Sequence, residues 1–168
     1  MTKRLILTRH TKSSWDDPNT LDHDRPLNTR GQTAATDLGL WLFSRDYVPS
    51  QVLCSDAERS LKTWDRIAPA LPKTALLQIK PALYNAGPDV IMAVLRHAQT
   101  DVVMVIAHNP GIAEFASRIV TNTPLNTAFN NYPTGATLVC DFAIDDWSAL
   151  AYGDGVTIEF VVPREIGL

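Results

Sequence analysis

The chain lacks most of the features that would direct it towards metal, nucleotide, membrane or nucleic-acid chemistry. Two cysteines occur in 168 residues, Cys54 and Cys140, and both sit in apolar strand-like runs without metal-type spacing. They are therefore expected to be buried free thiols. There is no H-E-x-x-H, no Asp-rich strand end and no G-x-x-x-x-G-K, so neither a catalytic metal nor a P-loop is expected. No run of lysine or arginine occurs and the net charge is −3, so nothing global attracts nucleic acid. Basic groups that matter must act locally, in a cleft. Near the start only Leu5 to Leu7 form an apolar core, far short of a signal peptide or membrane span, so a cytoplasmic protein is expected. Apolar residues at 45% and charged residues at 20% are ordinary for a folded chain. The length suits a single domain, taken as residues 1–168.

What the chain does contain is a short apolar run, Arg4-Leu5-Ile6-Leu7-Thr8, that ends in Arg9-His10-Thr11-Lys12. The run has the length of a buried strand. In open α/β sheets ligands collect beyond the carboxyl ends of the strands, so Arg9 and His10 stand where an anion would bind. Taken alone, such a pair is equally a solvated turn. The pattern recurs, however: Val102 to Ala107 is a second buried-strand run, and it ends in His108-Asn109-Pro110-Gly111. Between them, Gln51 to Cys54 leads into Ser55-Asp56-Ala57-Glu58-Arg59, where Ser55 and Glu58 have capping-box spacing. This places Arg59 in the first turns of a helix, near its electropositive end.

Residues 13–27 are rich in Asp, Asn, Ser and Pro and form a long loop, a candidate wall of the site. Within it, His23 between two aspartates is expected to be solvated. Arg25 precedes Pro26, and an arginine on a stiff turn can clamp an anion. Helices are predicted from about Thr29 to Ser44 with Asn28 as N-cap, over Ala57 to Ala68, from Asp89 to His97, and from Pro110 to Val120. Short strands are predicted at 74–79, 136–142 and 156–162, with another around Ala149 to Tyr152; residues 122–133 form a second long loop. The alternation predicts an α/β fold: a three-layer α/β/α sandwich around a mainly parallel sheet with an antiparallel edge.

The candidates at one sheet edge are thus His10, His108, Arg9, Arg59 and Arg25, without a carboxylate cluster. Arginines with histidines suit phosphoryl transfer to a histidine nitrogen. The arginines orient the phosphoryl oxygens, one histidine attacks in line and the other donates a hydrogen bond.

The ordered set Arg9-His10-Thr11, Arg25-Pro26-Leu27 with Arg30-Gly31, Ser55 to Thr63 around Arg59, and Ala107-His108-Asn109-Pro110-Gly111 resembles the signatures of the histidine phosphatase superfamily. With Tyr132-Pro133-Thr134-Gly135-Ala136 before a late strand, the chain is most similar to its SixA-type phosphohistidine phosphatases. The resemblance implies a phosphoglycerate-mutase-like fold, with His10 as nucleophile, Arg9 and Arg59 as phosphate clamps, His108 as phosphate-binding or proton-handling partner and Arg25 as an additional basic group. It also implies no cofactor, and a monomer acting on a phosphohistidine-bearing protein or a small phosphorylated metabolite. A phosphoprotein-binding module without turnover is the reading from another class, and the two intact histidines weigh against it.

Two positions depart from the family pattern. Thr11 stands where the commonest motif has glycine. Asn85 stands where relatives that cleave alkyl phosphates carry a proton-donating carboxylate, with Asp89, Asp56 and Glu58 as the nearby substitutes. Phosphohistidine releases a neutral imidazole and has less need of an acid, so this favours phosphohistidine over a sugar phosphate.

Overall fold

Leu5 to Leu7 and Val102 to Ala107 are apolar at every position, and residues that alternate between two faces can all be apolar only if both faces are covered. The computed structural model, which describes residues 2–72 and 74–166, has this arrangement. Met1, Lys73, Gly167 and Leu168, included in the one-domain expectation, lie outside the described residues. Six strands form one mixed sheet: β1 (Lys3–Arg9), β2 (Gln51–Cys54), β3 (Leu76–Ile79), β4 (Val102–Ala107), β5 (Thr137–Phe142) and β6 (Val156–Val161). Their order is β3-β2-β4-β1-β5-β6. The first four run parallel, whereas β5 is antiparallel to β1 and β6 antiparallel to β5.

The helices are α1 (Thr29–Ser44), α2 (Glu58–Ile67), α3 (Pro88–Leu95), α4 (Gly111–Ile119) and a final turn α5 (Pro163–Ile166). Leu5 and Leu7 of β1 and Val103 and Val105 of β4 join one core with Ile91 and Leu95 of α3 and Ile112, Phe115 and Ile119 of α4. Ile6, Met104 and Ile106 join the other, with Leu38 and Leu42 of α1 and Trp64 and Ile67 of α2. Successive residues of one strand thus feed two cores, which makes the three-layer sandwich expected. The chain leaves β1 over one face to reach β2, and leaves β4 over the other to reach β5. The carboxyl ends of β1 and β4 therefore flank a topological switch point, where α/β sheets open a crevice.

Several local expectations need correction. Ser55 and Glu58 do not form a capping box: α2 begins at Glu58 with Ala57 as its N-cap, and the Ser55 hydroxyl accepts from the Ala57 amide at 3.2 Å. Its other partner, described below, is what draws Ser55 away from Glu58. The strand expected at Ala149 to Tyr152 is instead a 3-10 turn, Trp147–Ala149, because Asp146 caps it and Trp147 is buried in the core. The 13–27 loop carries a 3-10 turn, Asp22–Asp24, and a bridge between Ser13 and Leu27 closes it. The 122–133 loop likewise carries a 3-10 turn, Thr127–Phe129. Cys54 and Cys140 are buried free thiols, as expected.

The start of α1 locks onto the backbone just beyond His10. The Asn28 side chain accepts from the Gly31 amide at 2.8 Å, while the Asn28 amide donates to the Lys12 carbonyl at 3.1 Å. A Cβ on Gly31 would lie 2.0 Å from the Lys12 carbonyl oxygen, so a methyl there must push the two segments apart. Gly31→Ala is expected to cost about 1–3 kcal/mol, roughly 2–10 °C in Tm. Gly87→Ala, where a Cβ meets nothing within 4 Å, is the control and should leave Tm within about 2 °C in thermal denaturation.

Candidate active site

Arg9 pairs with Ala107 in the β1–β4 register, so the residues that follow, His10 and His108, emerge side by side. Their rings lie 5.1 Å apart between centroids, and both are buried. His10 Nδ1 lies 2.8 Å from the Thr11 carbonyl, an acceptor only, so Nδ1 carries the proton and Nε2 keeps its lone pair. Burial pushes this imidazole down to about 3, against the Thr11 hydrogen bond, and the nearby His108, Arg59 and Arg9 push it the same way. His10 is thus neutral and presents Nε2 as a potential nucleophile. Its loop is pinned from two sides: the Gly135 amide donates to the Arg9 and His10 carbonyls, and the Thr11 amide donates to Thr63 Oγ1 at 3.0 Å. The Thr11 hydroxyl also lies 3.2 Å from that of Thr63, which gives a physical use for threonine where relatives have glycine.

His108 Nε2 lies 2.7 Å from Ser55 Oγ and 3.4 Å from Ser60 Oγ. Ser55 already accepts from an amide, so its own proton is available to Nε2 and the His108 proton belongs on Nδ1. Burial first, then Arg59, lowers His108 to about 4, so it too is neutral. It can offer Nδ1–H to an anion.

Arg59 donates from Nε to His10 Nε2 at 3.4 Å and from Nη1 to the Asp22 carbonyl at 2.7 Å, while its Nη2 pairs with Asp22 Oδ2 at 3.2 Å. Arg9 Nη1 donates to the Tyr132 carbonyl at 3.1 Å; burial, then Arg59, pulls its guanidinium below the usual range. Arg25 is buried, donating to Ser13 Oγ at 2.6 Å and to Asp22, with Trp15 stacked 3.6 Å from its guanidinium carbon. The Asp22 carboxylate is held down to about 2, first by the Tyr84 hydroxyl that donates to it and then by Arg59 and Arg25.

These groups surround a half-open cavity of about 170 Å³. Arg9, His10, Arg25, Arg59 and His108 all line it, together with Asn85, Asn109, Lys12, Ser13, Trp15 and Thr134. All five sequence candidates are therefore brought together. Among the described residues, four buried side-chain polar atoms lack a hydrogen bond: Arg9 Nε, His108 Nδ1, Asn109 Oδ1 and Asp56 Oδ1. The last faces His23 Nε2 at 3.0 Å as an ion pair. The other three belong to residues of the cavity wall. Buried polar groups are rarely left unmatched, and two N–H donors beside a neutral histidine nitrogen suit a tetrahedral oxyanion.

Comparison with known proteins identifies the family. The model of the histidine phosphatase superfamily, branch 1, matches residues 5–86. The structure of a protein named phosphohistidine phosphatase SixA, from Nakamurella multipartitia, superposes with a TM-score of 0.80 at 26% identity over 97% of both chains. The chain belongs to the histidine phosphatase superfamily. It is a SixA-like member, and the family match together with this relative supports a phosphatase. An uncharacterised chloroplastic protein of Arabidopsis thaliana is 31% identical over 150 residues, 78% of this chain and 69% of the relative. A phosphoglycerate mutase from Plasmodium falciparum shares the fold, with a TM-score of 0.59 at 20% identity over 100% of this chain and 94% of that one.

For a histidine phosphatase, the acid question has a definite geometry here. Asn85 lines the cavity, and no carboxyl does among the described residues. Asp89 accepts from the Tyr152 hydroxyl, Asp56 faces His23, and Glu58 lies 3.9 Å from Lys62. The carboxylate that does reach the site, Asp22, is fully ionised at neutral pH and engaged by two arginines. Sequence reasoning gave no role to it or to Tyr84, each recruited across the fold from a segment with no motif of its own; within the Ser55 to Thr63 stretch it read Ser55 as a helix cap and assigned Ser60 nothing. His23 is largely solvated, as expected; its ring packs edge-on against Tyr84, and its pairing with Asp56 raises its pKa. It does not line the cavity.

The neutral histidines imply an acid-labile fold. Unfolded, each titrates near 6.5; folded, at about 3 and 4. Between those values the unfolded chain binds more protons, so their contribution is complete above pH about 6.5 and lost as pH falls towards 4. Asp22, lowered from 3.8 to about 2, adds its own loss only below that window. Thermal melts at pH 7.5 and 4.5 should show a drop in wild type that is smaller in His10→Gln and His108→Gln. Equal drops would remove these histidines as its source.

Proposed function

We propose that the chain hydrolyses phosphohistidine on a partner protein, without metal, through a phosphoryl group carried on His10. The observation that carries this reading is the cavity itself: among the described residues, donors from Arg9 and His108 have no partners beside a neutral Nε2, and no carboxyl lines the wall. The cavity of about 170 Å³ is small beside the roughly 300–1,000 Å³ of sites that enclose a whole small molecule, which favours a phosphoryl group presented by a larger body outside. The SixA name of the structural relative from Nakamurella points the same way.

In this reading His10 Nε2 attacks phosphorus as the phosphorus–nitrogen bond of the substrate breaks. The imidazole, protonated from solvent, leaves neutral, so no carboxylic acid is required. Water then attacks the phosphoenzyme, the bond to Nε2 breaks, and inorganic phosphate departs. Arg9 and Arg59 hold the phosphoryl oxygens, His108 donates from Nδ1, and Arg25 adds positive potential at the rim. Asp22 must yield its hold on Arg59 to the entering phosphoryl group, a direct competition between two anions.

The test is phosphate release from a histidine-phosphorylated protein in the presence of a chelator, beside a panel of alkyl phosphates. Wild type should release phosphate from the protein, His10→Ala should not, and Arg59→Ala should lose about 10²–10³ in kcat/KM. Faster turnover of an alkyl phosphate than of phosphohistidine would overturn the substrate assignment.

A further inference from the structure

Beside the cavity lies a second groove of about 180 Å³, walled by Lys12, Arg30, Ala34, Pro133, Thr134, Val162, Pro163 and Arg164. Lys12 and Thr134 belong to both, so the groove opens directly from the mouth of the site. Three of its residues are cations and none is acidic. The chain as a whole carries a net charge of −3, so this concentration runs against its overall sign.

The three cations are also unengaged. Elsewhere the exposed basic side chains have partners: Lys62 with Glu58 and Asp65, Arg45 with Glu159, Arg66 with Gln32, and Arg118 with the Tyr152 ring. Among the described lysines and arginines, only Lys12, Arg30, Lys80 and Arg164 have no hydrogen bond, ion pair or ring contact from the side chain, and all but Lys80 line this groove. The nearest acid in sequence, Glu165, is turned to other work: it accepts from the Val162 amide at 3.0 Å and from Asn126 Nδ2 at 3.0 Å. Pro133, Val162 and Pro163 add apolar wall between the charges. Unpaired cations along a partly apolar groove are complementary to an extended acidic segment, and such complementarity determines partner choice and encounter rate.

We propose that this groove docks an acidic stretch of the substrate protein, within a few residues of the phosphohistidine seated in the cavity. This rests on the phosphohistidine reading and adds to it a determinant of which protein is chosen. Arg30 and Arg164 read the acidic residues, and Lys12 bridges groove and cavity.

The test separates docking from chemistry. Arg30→Glu, Arg164→Glu and the double variant alter exposed residues outside the cavity wall, and Lys12 is left intact. Three substrates are compared: a phosphohistidine peptide flanked on both sides by Asp and Glu, the same peptide with Ser and Gly flanks, and the small molecule phosphoramidate. Wild type should prefer the acidic peptide by about tenfold or more in kcat/KM, through KM, and lose that preference as salt rises. The double variant should abolish the preference while phosphoramidate turnover stays within about twofold. Equal turnover of the two peptides by wild type, or an equal loss on all three substrates in the variants, would overturn the docking site. A parallel measurement uses fluorescence anisotropy of the unphosphorylated acidic peptide on wild-type protein. Binding weakened tenfold or more by the double variant supports the groove even if no phosphohistidine is hydrolysed, an outcome that would defeat the catalytic reading alone. Binding unchanged by the variants, with or without turnover, overturns the groove.

Discussion

The structure is governed by the cost of gathering two arginines and two histidines in one poorly solvated crevice. Bringing even one charge out of water costs several kcal/mol unless it is matched, and here Arg9 and Arg59 stand close enough to lower Arg9 electrostatically. The molecule resolves this in two ways. The imidazoles surrender their protons, so the positive charge is confined to the guanidinium groups. Each guanidinium is then tied to a fixed oxygen, Arg9 to the Tyr132 carbonyl and Arg59 to Asp22. What remains unmatched is a surplus of donors facing the cavity, and an entering phosphoryl group supplies the missing acceptors.

The fold serves this arrangement by drawing each part from a different element. β1 and β4 present the histidines, the first turn of α2 presents Arg59, and the loop after β1 presents Arg25 and Asp22. Separate elements can be cross-tied, and they are: Thr63 of α2 holds the Thr11 amide, while Tyr132 carries both Arg9 and Asn109 on its carbonyl. A displacement of any one element is therefore opposed by at least one hydrogen bond to another. Preorganisation of this kind is what lets electrostatic groups act without reorganising during reaction.

The parts of this design that follow local rules were legible in the sequence. Apolar runs of strand length at β1 and β4 ending in histidine located the sheet edge, and the α1 N-cap at Asn28 was readable from its residue type. Arg59 was correctly placed at the start of a helix although the proposed cap was not, because helix periodicity survives an error in the first turn. Ser55 was misjudged for a physical reason: its spacing to Glu58 fits a cap, but His108, more than fifty positions away, offers its hydroxyl a buried partner. Asp22 is the clearest limit. Among several aspartates in a polar loop nothing distinguishes it, and only the folded loop shows that it bridges Arg25, Arg59 and Tyr84.

The position of β1 also orders events in time. Arg4 lies opposite Val102 on one side and Asp141 on the other, and its guanidinium is bonded to the Asp141 carboxylate at 2.7 Å. The strand bearing His10 thus has no neighbour until the chain has been made past residue 107, and its second flank stays open until about residue 142. At a synthesis rate of roughly 5–20 residues per second, this central strand, with Leu5 to Leu7 as its apolar core, waits several seconds on the ribosome with both edges unpaired. Open strand edges invite mispairing, and a site that needs both His10 and His108 cannot form before the chain has been made past residue 108.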